Sequence, residues 1–431
     1  MVGWADRAAI TSDGCRMIRP MLVSRISVAW FLAILLLIAA PAFARPQLIL
    51  PHTGLSASEL GLVINDEDPL SRRIGEYYRE ARRIPAGNVI RVRFAPGRSA
   101  LPAAEFAVLK AQIDRATPAH VQAYAVAWTQ PYRVGCMSLT SALAFGFDSA
   151  FCSSACGPTR ASPYFDSASQ YPASEHGLRP AMMLAGIDFE RVSQLIDRGR
   201  AADQSFPSGK VWLLSTSDKA RNVRATNFER TAAALAGVFP VEVQEGNSIP
   251  DRSEVLGYFT GLTHVPDLAK LDFVPGALAD HLTSFGGQLT DSSHMSSLRW
   301  LEAGATASYG TVVEPCNHPQ KFPLPAIALF HYATGATAVE AYWKSVAWPG
   351  EGVFVGDPLA RPFAPVLRET GPGRFELKLF SPRGGKLVFS QSPSPMGPFR
   401  RLPTQQTIHR GLNVLQVVLP VGIEGYVRLQ W

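Results

Sequence analysis

The chain has 431 residues, with 41 basic against 35 acidic groups, a formal charge of +6, and 47% hydrophobic residues. That length can bury a substantial core and accommodates two or more domains. The basic surplus is mild and scattered, with no Lys/Arg run, which excludes the electrostatic footprint of a nucleic-acid binder.

Residues 1–44 read as a secretory signal peptide. Arg16, Arg19 and Arg25 form a basic lead, 28–40 is almost wholly apolar, and Ala42-Phe43-Ala44 is a small-x-small cleavage signal. The apolar run falls short of the roughly 18 residues a spanning helix needs. Met17 and Met21 compete with Met1 as the start. No second long apolar run follows, so the mature chain is expected to be exported without stable membrane insertion, to the periplasm, cell surface or medium. Its charge falls to about +4, since the leader holds more Arg than Asp. Cys136, Cys152, Cys156 and Cys316 remain. An even number in an oxidising compartment reads as disulfides, with Cys152–Cys156 or Cys136–Cys152 as local candidates. The alternative leaves Cys316 as a free thiolate.

From Leu60 the pattern is βαβαβ. Leu60–Ile64 reads as a strand, and Asp68-Pro69 opens a helix, with Asp as cap and Pro at the first helical position. Val89–Phe94 is the next strand, Pro102–Arg115 a helix and Ala123–Trp128 a third strand. Residues 129–180 break this rhythm with Ser, Gly, Pro, aromatics and three cysteines, as a stapled insertion or lid would. The alternation resumes with Met182–Arg198, a strand at Val211–Leu214, a helix at Asn227–Val238 and a strand at Val241–Val243. Between 255 and 363, apolar runs end in Gly-rich or polar turns, and a helix is expected over Met295–Ala303. From about residue 365 the period becomes two (FELKLF, KLVFSQS, LNVLQVVL, GYVRLQW), as in a small antiparallel sandwich of immunoglobulin or fibronectin type. The fold class is therefore α/β, a mostly parallel sheet with flanking helices over 45–364, plus a β-sandwich over 365–431.

Parallel sheets put ligand sites at the carboxyl ends of strands. His264, His281, Ser284, His294, Glu314, Cys316 and His318 all fall at such ends. No phosphate loop, HExxH, CxxC or GxSxG motif occurs, so no cofactor or metal is expected. A thiolate and a histidine at neighbouring strand ends form a nucleophile–base pair. This makes Cys316 the candidate nucleophile and His281 or His264 the candidate base. A serine variant uses Ser284 with His281 or His294 and Asp280 or Asp291. Duller roles compete: Ser284-Phe285-Gly286-Gly287 as a tight turn needing positive φ, His281 as a hydrogen-bonded core residue, and Arg221 and Arg224 as members of an ion-pair network. Tyr309, Tyr342, Trp343 and Trp348 read as core.

Six segments carry a resemblance: LGLVINDEDPLSRRIGEYYREARRIPAGNVIRV at 60–92, LRPAMMLAG at 178–186, LIDRGRAAD at 195–203, DHLTSFGG at 280–287, GATASYGTVVEPCNHPQKFP at 304–323, and EAYWKSVAWPGEGVFVGDPLARPF at 340–363. Over about residues 60–365 the chain resembles an uncharacterised family of exported bacterial proteins that co-occurs with exosortase-type protein-sorting systems. The resemblance implies an envelope or surface role, with an exported protein or a glycan as partner, and assigns no residue a role. The chain is similar, more weakly, to caspase-like, gingipain-type cysteine peptidases. Gly304-Ala305 and Gly356-Asp357-Pro358 match their pattern. Thr260-Gly261 stands where their His-Gly is expected, and Ser284 where their Cys is. That resemblance implies a hydrolase-like scaffold without the usual dyad.

Overall fold

A computed structural model of the chain describes residues 46–153, 156–420 and 422–431. The expected signal peptide lies outside the described residues. Residues 46–431 form one compact unit, and none of its helices is long and apolar enough to cross a membrane.

Ten of the twenty strands among the described residues form one sheet. The amino-terminal block holds β2 (Leu60–Asn65), β3 (Val89–Val92), β5 (Ala123–Val126) and β8 (Ala181–Met183) in spatial order β3-β2-β5-β8. The second block holds β9 (Lys210–Ser215), β10 (Val241–Glu245), β11 (Arg252–Thr260), β12 (Leu271–His281) and β13 (Ala307–Thr311) in order β10-β9-β11-β12-β13. Neighbours within each block are parallel. Both blocks start with their second strand outside their first, a topological repeat that leaves no repeat in the sequence. β14 (Gly352–Gly356) joins them, antiparallel to β13 and bridged to β8 through Val355 and Met183. The carboxyl ends of both blocks lie on one rim: Gln130, after β5, donates to Thr290, after β12, at 2.6 Å.

Alternation along the strands explains why helices cover both faces. Leu62 and Ile64 of β2 face the same cluster as Val211 and Leu213 of β9. Against it pack α1 (Pro69–Arg82), α5 (Phe189–Ala202), α6 (Phe228–Leu235), α8 (Pro325–Ala333) and α9 (Ala338–Ser345). Val63, Tyr124 and Val126 point the other way, toward α2 (Ala103–Ala116), α3 (Leu139–Phe145) and α7 (Leu298–Ala303). Helix α1 starts as its sequence suggests: the Asp68 side chain accepts from the Leu70 amide at 2.9 Å, Pro69 follows, and Arg83 ends it in a left-handed conformation. Helix α7 begins at Leu298, three residues later than expected, because Ser292 and Ser296 bond back to the Phe285 and Leu289 carbonyls and hold 285–297 as a turn.

The irregular segment after β5 is anchored. It contains β6 (Arg133–Val134), which pairs with β4 (Ala100–Leu101), and β7 (Met137–Ser138), which pairs with β6, together with α3 and the short α4 (Pro172–His176). Ser162 and Asp166 amides donate to the Ala347 and Lys344 carbonyls, and Lys344 Nζ donates to the Ser169 carbonyl at 2.8 Å.

The carboxyl-terminal strands form two further sheets. β15 (Val366–Gly371), β16 (Arg374–Ser381) and β19 (Gly411–Val418) make one; β17 (Gly385–Ser392), β18 (Arg400–Ile408) and β20 (Tyr426–Gln430) belong to the other. Leu377, Leu387, Val417 and Leu429 from both share one core. The second sheet is not purely antiparallel as expected. β1 (Gln47–Ile49), from the opposite end of the chain, pairs parallel to β20. Three residues are too few to show a period in sequence. Phe380 of β16 stacks on Phe239 at 5.1 Å and meets Phe363 at 4.8 Å, seating this part against the α/β body.

A buried ionic cluster closes the body. Arg82 at the end of α1 pairs with Asp357, just past β14, and with Asp203, just past α5. Asp357 also accepts from Tyr78 Oη at 2.8 Å and from the Leu359 amide at 3.1 Å. Gly199 is required beside it, since a Cβ there would come 2.1 Å from an Asp357 carboxylate oxygen. Asp357 is fully buried, so removing its charge leaves the buried Arg82 guanidinium with the partly exposed Asp203 of its two carboxylate partners. Asp357→Asn should lower the free energy of unfolding by about 3–5 kcal/mol. Urea denaturation measures this, and a loss below about 1 kcal/mol would show that the cluster does not hold these elements.

Candidate functional site

The rim of the second block carries a cavity of about 500 Å³. Ala220 and Arg221 enter it from the loop after β9, Thr283 and Ser284 from the turn after β12, and Glu314 through His318 from the loop after β13. It lies beside the point where the strand order reverses between β9 and β11, where open α/β sheets bind ligands. Two close backbone approaches shape it. A Cβ on Gly261 would sit 1.9 Å from the Arg221 carbonyl oxygen, and one on Gly310 would sit 2.4 Å from the Gly286 backbone. The turn after β12 therefore crosses directly over β13. Its positive φ falls on Phe285 (φ 61), while Gly286 and Gly287 serve close approach rather than the expected left-handed conformation.

Beneath the cavity lies a buried ion pair. Arg224 Nη1 donates to Asp280 Oδ1 at 2.6 Å and to the Pro323 carbonyl at 3.0 Å, and Nη2 donates to the Thr260 carbonyl at 2.6 Å. Burial raises the Asp280 carboxyl above the usual range, and Arg224 opposes that rise. Arg221 and Arg224 thus do not share one ion-pair network: Arg224 is buried against Asp280, while Arg221 stays at the cavity and pairs with Asp218 at 2.9 Å.

The cysteines pair as Cys136–Cys152 and Cys156–Cys316. The second disulfide ties the irregular segment to the loop after β13, and both of its residues line the cavity. This corrects the reading of Cys316 as a nucleophile, because a bonded sulfur offers no thiolate. His318 reinforces the link, its Nε2 lying 2.6 Å from the Cys156 carbonyl oxygen.

His281 is corrected as a base. It is 1% exposed. Its Nδ1 accepts from the Trp300 indole at 2.9 Å, which fixes the ring proton on Nε2. Burial, with Arg224 nearby, pushes its pKa down to about 3. It is a hydrogen-bonded core residue and lines no part of the cavity. His264 sits exposed in the turn after β11 and makes no hydrogen bond to the loop of Cys316. Ser284 does line the cavity, but its hydroxyl bonds to neither His281 nor His294. Asp291 is engaged by Tyr132 and Asp280 by Arg224, so neither orients a histidine. Tyr309, Tyr342 and Trp343 are core, as expected; Trp348 lies 5.7 Å from His318.

The structure assembles a group that the sequence did not single out. Thr283 Oγ1 lies 2.9 Å from His294 Nδ1 and accepts from Arg221 Nε at 3.2 Å. Burial, then Arg221, holds the His294 pKa below its ordinary value. Among the described residues, no group of three or more His, Cys, Asp or Glu is placed to hold a metal ion.

No family model and no curated protein matches the chain. Among solved structures, it is similar to one described only as the structure of a protease, with a TM-score of 0.40 and 9% identity over 85% of this chain and 98% of that chain. It is also similar to the complex of the pro- and mature domains of Porphyromonas gingivalis RgpB, with a TM-score of 0.38 and 8% identity over 84% and 93% of the two chains.

Two outcomes follow from these contacts. Alkylation of the oxidised protein without reductant, read by peptide mass spectrometry, should modify none of Cys136, Cys152, Cys156 and Cys316; rapid labelling of Cys316 at neutral pH would return it as a nucleophile. The second concerns acid stability. The folded pKa of His281 is depressed, so the unfolded chain binds the extra proton between pH 6.5 and about 3. The contribution is complete above pH 6.5 and is lost as pH falls. His281→Gln, which keeps an acceptor for Trp300, should flatten the pH dependence of unfolding free energy there by up to ~1.4 kcal/mol per unit. Identical slopes in the two proteins would refute a neutral buried imidazole.

Proposed function

We propose that the protein is an exported envelope protein that holds a segment of another exported polypeptide in the strand-end cavity, and that it does not work as a cysteine hydrolase. The observation that carries this reading is the cavity itself, about 500 Å³ on the carboxyl rim, with the Cys156–Cys316 disulfide as part of its wall. That volume is typical of ligand pockets. Its lining offers donors and acceptors of both charges, Arg221, Thr283, Ser284 and Glu314, but no Trp, Tyr or Phe. A polypeptide is matched by such groups. A glycan site draws on aromatic faces, which favours the polypeptide. The block order β10-β9-β11-β12-β13 is flavodoxin-like. With Gly304-Ala305, Gly356-Asp357-Pro358 and the appended β-sandwich, it supports a degenerate peptidase-like scaffold. The link to envelope protein sorting rests on the resemblance over residues 60–365.

The test is fluorescence anisotropy with a fluorescein-labelled pool of random decapeptides, using mature protein and Ser284→Trp, whose indole fills the cavity. Saturable binding that weakens by at least about tenfold in a variant with unchanged melting temperature supports the reading. No peptide binding, or equal binding by Ser284→Trp, overturns it. Cavity-dependent binding of alginate oligosaccharides in place of peptides would move the assignment to a glycan.

A further inference from the structure

We propose that Thr283 and His294 form a hydroxyl–imidazole pair that transfers acyl groups from a ligand seated in the strand-end cavity. This rests on the cavity being the ligand site and adds a chemical step to it.

Hydrogen-bond direction carries the argument. Arginine has no acceptor, so Arg221 Nε donates to Thr283 Oγ1 at 3.2 Å. The Thr283 proton must therefore point elsewhere. His294 Nδ1, 2.9 Å away, is the acceptor in reach. In the tautomer with Nδ1 unprotonated, the neutral ring carries its proton on Nε2 and can take the Thr283 proton. Burial and the adjacent Arg221 keep that ring neutral, the form a base needs. Hydroxyl and imidazole thus lie at the spacing of an activated nucleophile and its base.

The turn holds this geometry from both sides. The His294 amide donates to Ser292 Oγ at 3.1 Å, and Ser292 Oγ donates to the Phe285 carbonyl at 2.7 Å. The Phe285 ring packs edge-on against His294 at 5.7 Å. Thr283 borders the cavity but is 1% exposed, so the Arg221 side chain or the turn after β12 must shift before an acyl carbon reaches its hydroxyl. Arg221 is placed to stabilise negative charge developing on Oγ1.

In the step, Thr283 Oγ1 bonds to the acyl carbon of an ester or amide while its proton passes to His294 Nδ1. The bond from that carbon to the leaving oxygen or nitrogen breaks, and His294 returns the proton to the leaving group. Water then attacks the threonyl ester, giving one proton to His294. The ester C–O bond to Thr283 breaks, the acid leaves, and His294 reprotonates Oγ1. Atoms balance with water as the co-reactant.

A biotinylated β-lactone, which acylates activated hydroxyls, tests the pair on the intact oxidised protein. The expected result is one adduct, mapped by mass spectrometry to Thr283. It should be absent in Thr283→Val, retained in Thr283→Ser, and formed at least about a hundredfold more slowly in His294→Gln. Retention in Thr283→Ser separates loss of the hydroxyl from loss of the fold. No adduct at Thr283 in the wild-type chain, or an unchanged rate in folded His294→Gln, overturns the proposal. Decapeptide binding measured on Thr283→Val separates the two readings. If binding persists while wild-type Thr283 takes no label, the acyl-transfer step falls and the binding function stands; if neither is seen, the cavity reading falls as well.

Discussion

The pairing of Arg224 with Asp280 is the contact on which the functional rim depends. Both charges are out of water, and a buried guanidinium is tolerated only when its donors are matched. Arg224 meets most of that demand by binding Asp280 of β12 and the carbonyls of Thr260 and Pro323 through its two terminal nitrogens, while Nε has no hydrogen-bond partner. One side chain thus ties the loop after β9 to the ends of β11 and β12 and to the segment after β13. These are the loops that shape the cavity. Arg221, one turn earlier on the same loop, is thereby held beside Thr283. The rim's preorganisation descends from an electrostatic requirement below it.

A covalent cross-link reinforces the rim from above. The Cys156–Cys316 disulfide closes 160 residues of sequence, and a constraint of that length removes much entropy from the unfolded chain. It also makes the irregular segment after β5 part of the cavity wall. The Arg82–Asp357–Asp203 cluster does comparable work elsewhere in the body, joining α1, α5 and the end of β14. In each case a long-range contact holds loops that short-range propensity leaves free.

Much of the α/β body is legible in sequence because its signals are local. The Asp68-Pro69 start of α1 and the apolar runs of β2, β5 and β9 appear close to where they are read. Other features have no local signature. β1 is three residues long and pairs with β20 from the far end of the chain. The late start of α7 depends on Ser292 and Ser296 bonding back into a turn. Of the candidate site, the expectation at the strand ends included Ser284, while Arg221 was read as part of an ion-pair network. The roles of Cys316 and His281 were not, because each follows from a partner distant in sequence: Cys156 in one case, Trp300 in the other. Thr283 went unnoticed beside Ser284, since which of two adjacent hydroxyls meets an imidazole depends on how the strand ends.

By itself, then, the sequence determined the alternation of strands and helices, the change to period two near residue 365, four cysteines beyond residue 44 and the rim on which polar groups gather. These rest on periodicity, composition and turn chemistry, which act over a few residues. Tertiary structure alone decided the pairing of the cysteines, the neutrality of His281, the burial of Arg224 and the meeting of Thr283 with His294 and Arg221. The physical reason is that pKa, disulfide choice and hydrogen-bond direction are set by which groups share a small, water-poor volume, and that volume is closed by residues far apart in the chain.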